Sequence, residues 1–118
     1  MIGILIETNG RVSSKDFKDC KAYQEAVGGW LESLPLRAAN LTAFINEDGK
    51  INDLPYNPMA TAMCIALGGI TADDHIVGNM VVVGPPDDNG DETAISEDKI
   101  NKIVEVSRKI ARDLGLTA

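Results

Sequence analysis

The run Ile76-Val77-Gly78-Asn79-Met80-Val81-Val82-Val83, closed by Pro85-Pro86, constrains the fold more than any other stretch of the chain. Successive side chains of a strand point to opposite faces, so a run that is apolar on both, as Met80–Val83 is, belongs inside a sheet and not at its rim. Residues 74–83 therefore read as a central strand. The C-terminal segment is equally well patterned. Ser96 can cap a helix, and Ile100, Ile103, Val104, Ser107, Ile110, Ala111 and Leu114 recur at helical spacing as one stripe. Glu97 and Asp98 lie at the positive end of its dipole, Arg108, Lys109 and Arg112 near the negative end, and Gly115 is a natural stop.

The remaining elements follow from breakers and caps. Ile2–Glu7 is an apolar run before the turn pair Asn9-Gly10, which predicts an N-terminal strand and a short hairpin return through Arg11 and Val12. Ser14 can cap a helix from Lys15, with Phe17, Cys20, Tyr23 and Val27 inward and Gly28-Gly29 as its stop. Residues 30–34 read as a strand stopped by Pro35, and 41–46 as another, whose hairpin partner would be 50–54 across the Glu47-Asp48-Gly49 turn. Asn57-Pro58 announces a helix through about Leu67, because Asn caps free amides and Pro has no N–H to lose in the first turn. The order β-α-β-β-α-β-α predicts one α+β domain over 1–118, with a mixed sheet of about four to five strands and three helices, the long last one packed on the sheet.

Composition excludes whole classes of function. The chain has 118 residues, of which 44% are hydrophobic, enough for a core that needs no metal or disulfide. Its net charge of −7 argues against nucleic acid or an anionic membrane as partner, and no run of 18 apolar residues predicts a membrane span. Met1–Glu7 lacks the basic flank and cleavage site of a signal peptide, and the two distant cysteines, Cys20 and Cys64, read as buried thiols, so a cytoplasmic location is expected. Two cysteines and one histidine cannot make a structural zinc site, so we expect no metal and no cofactor.

Catalytic constellations are weak. Asp73-Asp74-His75 is the one place where a base and carboxylates adjoin, but at a strand start Asp74 and His75 would diverge. Asp87–Glu92 fails the ligand spacing of a calcium loop and reads as a solvated turn. Carboxylates paired as in a glycosidase arise by chance in an acidic chain and the order of residues does not set their spacing; mimicry of DNA needs a denser array than this modest charge supplies. No catalytic residue is assigned. From Ile51 to Asp98 there is no Lys or Arg, against nine acids, so an anionic ligand would need backbone amides or a base from elsewhere; Arg37 is the isolated candidate.

Four ordered motifs carry a family resemblance: Val27-Gly28-Gly29-Trp30-Leu31-Glu32, Asn46-Glu47-Asp48-Gly49-Lys50, Leu54-Pro55-Tyr56-Asn57-Pro58-Met59-Ala60-Thr61 and Ile76-Val77-Gly78-Asn79. They resemble a domain-of-unknown-function family of small proteins found mainly in tailed bacteriophages and mobile elements. Trp30 stands where the family usually has Tyr, and Asn79 where it has Asp. The resemblance implies a phage-encoded accessory protein in the host cytoplasm and carries no activity with it. By size and origin, such a protein is expected to bind a host factor without turnover, as a counter-defence sponge for a nucleotide-type signal or small anionic ligand. A stoichiometric inhibitor of a host protein and a small Mg-dependent hydrolase are the alternatives.

For the sponge, the ligand site would combine the helix start at Asn57 and Thr61, Arg37 for charge, and Tyr56 or Trp30 for stacking. The plainer reading, a cap for Asn57 and packing for Thr61, is the favoured one. The helix after Pro58 is apolar nearly all round, so a homo-oligomer that covers its second side is also expected.

Overall fold

The computed structural model describes residues 1–115. It holds strands β1 (Ile2–Ile6) and β2 (Val12–Asp16), helix α1 (Cys20–Val27), strands β3 (Leu31–Leu36) and β4 (Leu41–Asn46), helix α2 (Pro58–Ala66), strand β5 (Met80–Val83) and helix α3 (Glu97–Leu114). The five strands form one sheet in the order β2-β1-β5-β4-β3, the α+β class expected. Every pairing is antiparallel, where a mixed sheet was expected. The reason lies between β4 and β5. Asn57, at the start of α2, bonds to Ile6 at the end of β1, and Leu67, just past the helix, accepts from Ala38 at the other end of the sheet. Residues 68–79 then travel back. The crossing by α2 is undone by this return, so β5 starts where β4 stopped and must run against it.

β5 is the buried centre, and all four of its residues are fully covered. Met80 and Val82 join Ile4, Ile6, Ala43, Met63 and Ile103 in the core under α2 and α3. Val81 and Val83 face the other way, into a smaller cluster with Phe17, Tyr23 and Val27 beneath α1. This strand is shorter than the expected 74–83. Gly78 adopts φ +75°, a left-handed conformation that ends the extended run, and Val77 only bridges to Tyr56.

Other boundaries shift for local reasons. The hairpin return after Asn9-Gly10 continues to Asp16, which displaces the helix predicted from Lys15. Asp19, not Ser14, caps α1 by accepting from Ala22 N–H, and Gly28 closes it at φ +84°. Cys20 therefore falls on the first turn and is exposed, whereas Cys64 is buried as expected. β3 runs through Pro35, which an edge strand tolerates because its outer N–H groups have no partner. β3 is also the hairpin partner of β4; residues 50–54 instead form turns, with Leu54 N–H bonding to Gly49 C=O. The predicted α2 and α3 stand with their caps, Asn57 and Ser96, in place. α3 packs beside α2 on the same sheet face and covers part of the side of α2 for which a second copy was invoked. No helix among the described residues is long and apolar enough to cross a membrane.

Candidate functional site

Three of the four sequence motifs converge on one end of the sheet through buried or half-buried asparagines. Asn57 is wholly buried, and both protons of its amide are used, one on Ile6 C=O (3.1 Å) and one on Gly78 C=O (2.9 Å). Its Oδ1 accepts from Ala60 N–H at 3.0 Å. Asn46 donates to Val27 C=O and accepts from Asp48 N–H, and Asn79 donates to Ala26 C=O and accepts from Thr8 N–H. A Cβ on Gly29 would lie 2.8 Å from the Asn46 amide nitrogen, so a larger residue there would displace that amide from Val27 C=O. Thr61 is tied to Ile76, accepting from its N–H at 2.8 Å and donating to its C=O at 3.4 Å.

These clamps hold the loops around a cavity of about 140 Å³ beside the β3–β4 hairpin. Its floor is apolar, with Leu34, Ile45, Ile70 and Ile76; its rim carries Glu32, Glu47, Lys50, Asp74 and His75. Lys50 Nζ meets Asp74 Oδ1 at 2.6 Å, and His75 N–H donates to the same oxygen at 2.7 Å. The Lys50 hydrogen bond, seconded by that of His75, holds the Asp74 carboxyl below the usual carboxylate range. The ring of Tyr56 lies 6.0 Å from that of His75. Three large apolar side chains at this end are open to solvent: Ile51 on the rim itself at 82% exposure, and, outside the lining but next to rim residues, Trp30 at 69% and Tyr56 at 54%. Glu47 N–H bonds to Trp30 C=O at 2.8 Å, which joins the Trp30 turn to the cavity rim.

Of the five residues proposed from sequence, Trp30, Tyr56, Asn57 and Thr61 lie at this end. Arg37 does not. It follows the far end of β3, seven residues and roughly 23 Å of strand from Trp30, beside the C-terminal end of α2. Asn57 and Thr61 already spend their polar atoms on the protein itself. Sequence reasoning passed over Lys50, Glu47 and Glu32 as site residues, although Glu47 and Lys50 stood within the Asn46–Lys50 motif and Glu32 closed the first one. Among the described residues no group of His, Cys, Asp and Glu is arranged to hold a metal ion.

A family model described as Domain of unknown function (DUF3846) matches residues 1–108. The chain belongs to this family. The match takes in all five strands, α1, α2, most of α3 and the whole cavity rim, so the DUF3846 domain is the fold described above. No curated protein and no solved structure matches the chain.

Proposed function

We propose that this DUF3846 domain is a binding protein without turnover, and that its recognition surface is the sheet end bearing Trp30, Ile51 and Tyr56. The observation that carries this reading is their shared exposure at one sheet end, beside a cavity whose loops are tied by Asn46 and Asn57. Trp and Tyr are the residues that most often anchor protein interfaces, and a rigid frame spares them ordering cost on binding. Charge favours a protein target over a phosphorylated one. Glu32, Glu47 and Asp74 ring the cavity, and its one lysine is already engaged by Asp74. A partner with an apolar centre and a basic rim complements this surface. With the resemblance to phage-borne proteins, the reading becomes a phage accessory protein that inhibits a host protein stoichiometrically.

A second reading, sequestration of a nucleotide-type signal, has the Tyr56–His75 ring pair beside Lys50 in its favour. One experiment separates the two. Native mass spectrometry of the protein recovered from host cells should show a complex of fixed stoichiometry. Trp30→Ala and Tyr56→Ala should each weaken it by about 2 kcal/mol or more, the range of interface anchors, while Arg37→Ala leaves it intact. Trp30 is the only tryptophan, so its emission reports binding directly. Heat and a Trp30 shift with cyclic dinucleotides, the ligand recovered unchanged, would favour the second reading. Binding that survives both aromatic substitutions would refute the surface.

A further inference from the structure

A second cavity lies away from the sheet end, as a groove of about 500 Å³ between α2 and α3. Ala62, Ala66 and Leu67 line one wall, and Val106, Ile110 and Leu114 the other. Along α3 the groove is edged by Lys102, Val106, Lys109 and Asp113, a single stripe at spacings of four, three and four residues; Glu105 lies beside it.

The order of charge along this edge is its informative property: positive at Lys102, negative at Glu105, positive at Lys109 and Arg112, and negative at Asp113, which also meets Lys109 of its own helix at 3.5 Å. Laid against itself in the same direction, the stripe would set lysine on lysine. Laid antiparallel about a point between Ser107 and Arg108, it sets Lys102 against the partner's Asp113 and Glu105 beside the partner's Lys109. Val106 then meets the aliphatic stem of the partner's Lys109 near the axis. Two-fold symmetry repeats each pair, which gives four opposite-charge contacts around the small apolar residues of the groove.

We infer that the α2–α3 face is the contact between two copies of this chain, paired antiparallel about a two-fold axis crossing α3 between Ser107 and Arg108. A second copy fits this surface better than an unrelated apolar segment, because the rim is complementary to its own reverse. The face is modest. An 18-residue helix is roughly 27 Å long, and two helices present a strip of roughly 500 Å² per copy, below the roughly 800 Å² of a standard interface. The dimer should therefore be weak, with a dissociation constant on the order of ten to a hundred micromolar. The contact is separate from the sheet-end surface and does not depend on what that surface binds.

Sedimentation equilibrium of the full chain from about 5 to 500 μM tests the pairing. A monomer–dimer equilibrium is expected. Lys102→Glu and Asp113→Lys should each raise the dissociation constant about tenfold or more, and the double reversal, which restores opposite charges across the axis, should return it to within about threefold. Both side chains are exposed, so the variants should melt as the parent does. A monomer throughout, a dimer indifferent to the reversals, or a double variant that fails to recover would each overturn the inference. So would dimerisation only after removal of residues 116–118, which would assign the groove to that segment.

Discussion

Replacing Asn57 tests whether this residue is a helix cap or the tie that holds the sheet end together. A cap alone is worth about 1 kcal/mol on truncation to Ala. The structure asks more of Asn57, since Asn57→Ala would strip partners from two buried carbonyls, Ile6 C=O and Gly78 C=O, as well as from Ala60 N–H. At about 1–1.5 kcal/mol each, three lost bonds cost about 3–5 kcal/mol, a large share of the 5–15 kcal/mol that stabilises a domain. For a chain of this length the melting temperature should fall by about 10–25 °C. Asn57→Asp is the sharper probe. It keeps the capping oxygen but aims a second oxygen, with no proton, at two carbonyls. A simple cap would accept this change, whereas the tie requires Asp to cost at least as much as Ala. The Asp variant should also regain stability as pH falls, because protonation returns one donor. Its carboxyl would have a higher pKa folded than unfolded, so the folded state binds the proton more tightly and loses stability as pH rises. Urea unfolding of the three proteins at pH 4.5 and 7.5 measures all of this. A loss near 1 kcal/mol for Ala, with Asp equal to the parent, would refute the tie.

The two thiols should differ in reactivity: Cys20 should react with a disulfide reagent at once in the native protein, and Cys64 only on unfolding. Burial pushes the Cys64 thiol up to about 12 from an ordinary 9.0, so its contribution is whole below pH 9 and is lost between pH 9 and 12 as the unfolded chain ionises first. Tyr23, raised chiefly by burial and then by Glu92, Asp16 and Cys20, acts in the same direction from pH 10, so Cys64→Ala should flatten only the earlier part of the alkaline decline in melting temperature. Gly84→Ala should cost about 2–4 kcal/mol in denaturant unfolding, since its Cβ would overlap Thr93 Oγ1 and sit 2.6 Å from the backbone oxygen of Ala94; Gly90→Ala, with open space around it, should cost far less even though its φ of +81° strains it.

What could be read from the chain in advance divides along a physical line. The elements fixed by their own neighbours were legible: α3, with a stripe, both caps and a dipole-matched charge order, and the start of α2 at Asn57-Pro58. Elements whose identity depends on distant partners were not. Residues 12–16 alternate too weakly to declare a strand, and only pairing with β1 makes them one. Residues 50–54 offered β4 a plausible hairpin partner, but six residues of β3 pair with it instead, and β5 takes its other edge. The site shows the same division more sharply. Asn46, Asn57 and Asn79 are prominent in sequence because each stands in a motif, and prominence of that kind invites a binding role. Their amides bond instead to backbone groups up to 71 residues away, so what these asparagines hold together is the junction of β1, α1, α2 and β5. Asn57, whose donors and acceptor are all spent inside the fold, has none left for a ligand. The residues free to meet one are those the fold leaves unspent, Trp30, Ile51 and Tyr56. Their exposure depends on where the α1–β3 and β4–α2 connections come to lie, which the order of residues does not show until the sheet has assembled.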